Sequence, residues 1–564
     1  MKFIYLLLTI TFFSFSLIHA QETTPADYFK SPLDVALIPS GTFGELRSNH
    51  FHSGIDLKTQ GREGLPVYAS AEGTVSRIKI SHYGYGKALY IKHPNGYSTV
   101  YAHLKKFSPE IEAFVKRKQY QKESYEVELF PKPGELYVEQ GAVIAYSGNT
   151  GGSGGPHLHF EIRDGRSRPM NPMDFGLDVK DSTRPVITGL FAYPQNENSH
   201  VNGLNERQEL RLIPLKDGNF KTEAIHAMGD VGFGIVSIDR QDLAGNQNGV
   251  YRIQTFVNGN QNFQLDFKKF AFSETRHINQ LIDYGYYQNN KKRIQKLYVE
   301  STNPLSLYQK KINQGIVKLV DSTQCQYAIK VFDYNGNETT IRVPIVVKKE
   351  AIKSPKSFTS NYLVTANEPS VFEGNGYDIY IPKNALYKDA HLDIDFSSNL
   401  LKFHTDTIPI HKNITIGMDV SSYDANDQQK LYIAKKNYPT ADPYYVKTYR
   451  KKNRLTAKTR NFGYFLIATD TIAPKIEPVN FENKKWLSNY RYLKLKITDQ
   501  ESGIKSYRAT INGRFILTEY DYKKDLLTYD FNDAVVTGTE NKLNVVVTDN
   551  VGNSTTFERI FYRK

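Results

Sequence analysis

In Gly154-Gly155-Pro156-His157-Leu158-His159-Phe160-Glu161-Ile162, polar and apolar residues alternate with the period of two that marks a β-strand buried on one face. Leu158, Phe160 and Ile162 are predicted to face a core, and His157, His159 and Glu161 a cleft. Two imidazoles so spaced, anchored by buried neighbours, make one stiff arm of a metal or acid–base site. The stretch follows a glycine-rich loop and closes a region, residues 40 to about 174, of short strands and glycine-bearing turns. Residues 67–71 and 74–78 flank Glu72-Gly73 and are predicted to pair as a hairpin. Residues 88–91 and 98–104 flank Pro94-Asn95-Gly96 in the same way. One helix is predicted from Ser108-Pro109-Glu110, which supplies a cap, a proline at the first position and an early acid. Ile111, Phe114 and Val115 then recur at helical spacing to about residue 121. Residues 107–135 therefore read as an insertion leaving and rejoining the sheet edge.

The chain's 564 residues exceed one core and imply about three to four domains. Lys2 precedes an uncharged apolar run to Ile18, and His19-Ala20 ends it before polar residues. Residues 1–20 thus read as a secretory signal peptide cleaved after Ala20, with no lipid anchor and no integral membrane segment afterwards. The expected location is exported, periplasmic or extracellular. Cys325 is the only cysteine, so intramolecular disulfides are excluded and each domain depends on its own core. It opens a strand-like stretch and reads as a small buried hydrophobe.

The net charge of +13 is uneven. Residues 21–180 hold 19 basic and 18 acidic side chains, whereas residues 181–564 hold 52 and 41. An exported basic surface suits anionic wall or envelope polysaccharide. No basic helix or nucleic-acid motif is present, so no nucleic-acid partner is expected. Beyond residue 181 the sequence turns β-branched and aromatic, as pleated, half-buried surfaces require. Asp242-Leu-Ala-Gly245-Asn246, Asp333-Tyr-Asn-Gly336-Asn337 and Asp549-Asn-Val-Gly552-Asn553 share the form D-x-x-G-N. Asp230 to Ile235 and Asp499 to Ile504 match as earlier strand-end turns. Two related β-sandwich modules, 181–350 and 471–564, would produce this order, with a third β unit at 351–470 between them. The Asp/Asn turns read as Asx-type turn chemistry rather than calcium sites, because no dense run of acids accompanies them.

Seven of the 14 histidines lie between residues 50 and 159. His52-Ser-Gly-Ile-Asp56 offers an imidazole and a carboxylate four residues apart. Tyr97, Thr99, Tyr101 and His103 are predicted to share one strand face. Catalytic zinc takes three protein ligands of these types and keeps a fourth position open. His52, Asp56 and one histidine of the HxH pair would supply them, leaving two histidines for proton transfer and oxyanion stabilisation.

HSGID, YAHL and GNTGGSGGPHLHFEIRD, in that order between residues 40 and 164, resemble the motifs of the lysostaphin-type or LytM-type zinc metallopeptidases. That family cleaves peptide bonds in bacterial peptidoglycan. Carried over by position, the resemblance makes His52, Asp56 and His159 ligands of one Zn2+ per chain, and His103 and His157 the catalytic pair. It implies a mainly β chain. A small antiparallel zinc peptidase domain with one inserted helix (21–180) is followed by about three β-sandwich, Ig-like domains. The implied activity is metal-assisted hydrolysis of peptidoglycan peptides; no HExxH glutamate is present, so histidine must act as base. Two other readings share the sequence: a non-catalytic activator of another wall hydrolase, and an adhesin-like binding protein. Glu161 reads either as a carboxylate holding a ligand histidine or as the partner of Arg163. His50 is the rival to His52, His82 is placed at the groove rim, and His93 is structural. The insertion is expected to shape substrate choice or gate access.

Overall fold

The fold follows from a computed structural model that describes residues 25 and 27–564, apart from 321–323, 354–359, 361, 398 and 537. The expected signal peptide lies outside the described residues. Residues 39–163 build an antiparallel sheet from β1 (Pro39–Gly41), β2 (Ile55–Lys58), β3 (Gly73–Ile80), β4 (Lys87–Lys92), β5 (Ser98–Ala102), β6 (Val127–Leu129) and β7 (His157–Arg163). Their order is β1-β2-β7-β5-β4-β3-β6, so the HxH strand is central. Leu158, Phe160 and Ile162 are fully buried in one core with Ile55, Leu57 and Tyr101. Register places His159 opposite Asp56 on β2 and Ala102 on β5. The two-residue periodicity of β7 therefore sends its apolar half into the core and its polar half to the other face.

The predicted turn at Pro94-Asn95-Gly96 joins β4 to β5 as antiparallel neighbours. The other predicted hairpin is absent. Pro66–Tyr68 pairs with Val143–Tyr146 in a separate three-stranded sheet, while β3 pairs with β4. Both strands bury Val67 and Val75 in the same core, and alternation alone cannot say which edge each will pair with. Helix α1 (Pro109–Lys122) begins after Ser108 with proline at its start and buries Ile111, Phe114 and Val115. The Ser108 side chain makes no cap; instead Glu112 accepts from the Phe107 amide at 2.9 Å.

Three further β units follow. Residues 186–347 form a 13-stranded sheet with a single large core, in which Cys325 is buried. Residues 370–469 form two five-stranded sheets closing on one core. Residues 475–562 form a four-stranded and a five-stranded sheet that share a core in the same way. Asp230 to Ile235 is not a strand-end turn but the middle of the long strand Ile225–Ile238. The strand-end acid that matches Asp499 is Asp239.

The first two units are not independent. Phe43 and Phe51 lie in the core of the second unit, ring against ring with Phe267 and Phe270. Each buried phenyl contributes about 2–3 kcal/mol to holding the two together. At the same joint the Tyr334 hydroxyl donates to the Met173 carbonyl at 2.7 Å. Burial there pushes the Asp174 carboxyl up to about 6, against Lys268. The folded state thus favours its protonated form, a contribution present below pH 3.9 and lost as pH rises through 6. Asp174→Asn should raise the melting temperature at pH 7.5 by a few degrees and leave it unchanged near pH 3.5. Equal shifts at both values in calorimetry would refute the assignment.

Candidate metal centre

His52, Asp56 and His159 are all buried and converge. His52 Nε2 lies 3.0 Å from Asp56 Oδ1 and 3.1 Å from His159 Nδ1, and His159 Nδ1 lies 2.9 Å from Asp56 Oδ1. Ligands on one tetrahedral zinc at about 2.0–2.1 Å stand about 3.3 Å apart, so the three atoms nearly match one face of that tetrahedron. Each imidazole is turned by a bond from its other nitrogen. His52 Nδ1–H donates to the Thr42 carbonyl at 2.8 Å, and His159 Nε2–H to Glu161 Oε1 at 2.9 Å. Both rings therefore present a lone pair to the common point, the arrangement that fixes the tautomer of a metal-ligating histidine. Asp56 keeps its other oxygen on Arg47 Nη2 at 3.2 Å. The donor set fits zinc.

The charges around the centre are arranged to stay. Burial would raise the Asp56 carboxyl, but His52, His157 and His159 together hold it well below the usual carboxylate range. His159 is opposed by burial yet raised to about 9 by its bonds to Asp56 and Glu161, so a bound cation would displace the proton from Nδ1 to reach that lone pair. Glu161 has no exposed surface. It accepts from Ser53 Oγ at 2.8 Å, from Arg163 Nε at 2.6 Å and from the Tyr85 hydroxyl. Arg163 and then His159 outweigh its burial and keep it ionised. Both sequence readings of Glu161 are therefore realised at once. Gly54 lies against the Phe160 carbonyl, where an added Cβ would stand at 2.3 Å, so only glycine lets β2 close on β7.

His103 and His157 stand beside this group with ring centroids 4.8 Å apart. His103 does not share a strand face with Tyr101, which points into the core. β5 ends at Ala102, and His103 adopts a left-handed backbone with φ +58°. Alternation would send its ring to the core; the αL turn brings it back to the cleft. Its Nδ1–H donates to the Thr150 carbonyl at 2.8 Å. Burial, then His159 and His157, lowers its pKa to about 3, so it is neutral at pH 7. His157 Nδ1 faces the Gly155 carbonyl at 2.8 Å, and its Nε2 lies 3.4 Å from Asp56 Oδ1. A groove of ≈ 560 Å³ lined by Val35, Ile38, Lys58, Gln60 and Pro156 opens at His157.

The remaining histidines separate cleanly. His50 is exposed and bonds to Ser48, away from the ligands. His93 is buried against Thr99 and the Glu72 carbonyl. His82 stacks on Tyr125 and meets Tyr507 and Tyr520 of the last β unit rather than lining the groove. That unit docks on α1 and on the glycine-rich loop. Lys116 and Tyr120 bond Asp533, and Lys87 and Tyr125 bond Glu519. Lys523 Nζ donates to the carbonyls of Asn149 and Ser153, both at 2.7 Å. The insertion thus works as a bracket for a distant domain, which no local sequence signal announces.

Residues 50–120 and 132–172, which hold this geometry, match the family model of Peptidase family M23. The chain carries an M23 peptidase domain. Residues 361–470 match a Zu5-like domain. The chain is 32% identical over 199 residues to DD-carboxypeptidase/endopeptidase Mpg of Neisseria meningitidis, covering 35% of this chain and 36% of that protein. It is 31% identical over 157 residues to peptidoglycan DD-endopeptidase ShyB of Vibrio cholerae, covering 28% and 30%. The match thus spans about a third of the length of these relatives. The catalytic domain of lysostaphin from Staphylococcus simulans is 25% identical over 24% of this chain and 90% of its own, with a TM-score of 0.18. The M23 domain holds all five histidine and aspartate positions in one cluster. Its Thr42, Arg47, Tyr85 and Thr150 partners were not legible in sequence, since they reach the site from three separate loops.

Lys523 holds the loop that leads into His157, so Lys523→Ala should raise KM for soluble muropeptides two- to threefold with kcat unchanged. An unaltered KM would remove the last unit from the groove.

Proposed function

We propose that this protein is an exported zinc metalloendopeptidase that hydrolyses peptide bonds in bacterial peptidoglycan, with one Zn2+ per chain. The observation that carries the reading is the convergence of His52 Nε2, Asp56 Oδ1 and His159 Nδ1, each with its outer atom already bonded, beside two further imidazoles. M23 peptidases are zinc-dependent, and the relatives named above act on peptidoglycan or are named as endopeptidases. Bound zinc supplies a Lewis acid for the scissile carbonyl and acidifies water. His103, neutral and pinned through Nδ1, offers Nε2 as the acceptor of the attacking water's proton. His157, beside His103 at the mouth of the groove, orients the substrate carbonyl and stabilises its developing charge. The groove beside Lys58 and Pro156 receives the peptide. The basic β units beyond residue 181 hold wall or envelope polysaccharide near the cleft. Among the described residues no helix is long and apolar enough to cross a membrane. Mass spectrometry of purified peptidoglycan digested by the zinc-loaded protein tests this reading. Cleaved stem peptides or cross-links are expected, and an undigested wall would overturn it.

A further inference from the structure

The D-x-x-G-N turns and the linkers that precede their modules meet in three dimensions. Asp181, in the segment joining the M23 domain to the second unit, comes together with Asp239 and Asp333. One carboxylate oxygen of each lies within 4.8 Å of those of the other two. The three come from residues far apart in sequence, which is why no dense acidic run marks them. The arrangement is built twice. Asn337 Nδ2 donates to the Asp181 carbonyl as Asn553 Nδ2 does to the Asp470 carbonyl, and Thr339 and Thr555 reach Pro185 and Pro474 alike. The two copies differ at one buried oxygen in particular. Asp239 is 2% exposed, and its Oδ1 has no hydrogen-bond partner, while Oδ2 accepts from Gln241. No carboxylate of the Asp470–Asp499–Asp549 copy carries such an orphaned buried oxygen among the described residues. A cavity of ≈ 30 Å³ lies against Asp181, Asp239, Gln241 and Asn335, with room for about one water or ion. No lysine or arginine pairs with these three aspartates among the described residues, so nothing in the chain neutralises them.

We propose that Asp181, Asp239 and Asp333 bind one calcium ion that locks the peptidase domain to the second unit. The donors are all oxygen, as a hard cation requires, and an irregular set drawn from three separate segments suits the flexible calcium shell rather than the near-ideal octahedron that magnesium demands. Asp239 and Asp333 are buried and Asp181 is half-buried, and gathering three carboxylates without a counter-ion is unfavourable, which the cation offsets. The orphaned Oδ1 gains a partner, and the linker at Asp181 is lashed to two strand ends of the module.

Calorimetric titration of Ca2+ into the full-length, zinc-loaded, calcium-free protein tests this. One Ca2+ per chain is expected, unchanged in Asp499→Asn and lost in Asp239→Asn and Asp333→Asn. A hundredfold excess over Kd should raise the melting temperature of the wild type by about 5 °C or more. In calcium-free buffer Asp239→Asn should melt no lower than the wild type, because it relieves repulsion. Absence of calcium binding by the wild type, equal binding by Asp239→Asn, or an equal shift with Mg2+ would overturn the assignment.

Discussion

His159→Ala is expected to release the metal and to lower peptidoglycan hydrolysis by about a thousandfold. On the proposed function the ring is one of three protein ligands, and the Lewis acid it would help hold is worth several kcal/mol to the reaction, where about 4 kcal/mol corresponds to that factor. The loss should fall on kcat, because the groove at Lys58, Gln60 and Pro156 is built by other residues. The fold should survive, since Leu158 and Phe160 on either side remain in the core. Zinc content by elemental analysis and muropeptide mass spectrometry read the two effects separately. Identical fragment patterns from wild type and variant would end the enzymatic reading.

Glu161→Ala is expected to cost both stability and metal. It strips the partner from His159 Nε2 and from Arg163, and an acceptor from the Ser53 and Tyr85 hydroxyls, at a position with no exposed surface. Leaving Arg163 uncompensated should destabilise the domain by about 3–5 kcal/mol. Glu161→Gln separates the two roles. It keeps the shape, removes the charge that stabilises His159 as donor, and should weaken zinc binding by about 10–100-fold while losing less stability. A Glu161→Gln protein with wild-type zinc affinity would show that this carboxylate serves only Arg163.

Much of the site was legible because β7 obeys one simple rule. A strand central to a sheet must alternate, so the apolar identity of Leu158, Phe160 and Ile162 fixed where His157, His159 and Glu161 would look. His52 and Asp56 were legible as a spacing, and Gly54 between them is required by the close approach of β2 to β7. His103 was legible as a residue but not as a direction. Its placement rests on a left-handed backbone that costs energy in isolation and persists because Tyr85 and Thr150 hold it. The failed hairpin at Glu72-Gly73 has the same origin, since pairing partners are chosen by the whole sheet.

The sequence by itself determined the mainly β class and the helix after Pro109, which follow from local periodicity, while its motifs nominated the five histidine and aspartate positions through their resemblance to a family. Only the tertiary structure decided what surrounds them. Phe51 anchors the loop before His52 in the core of another unit, Lys523 grips the loop before His157, and Asp181, Asp239 and Asp333 converge from three separate segments. Such long-range contacts pair residues that share no period and no neighbourhood along the chain. Burial and charge select them only after the chain has folded, so no window of sequence contains them.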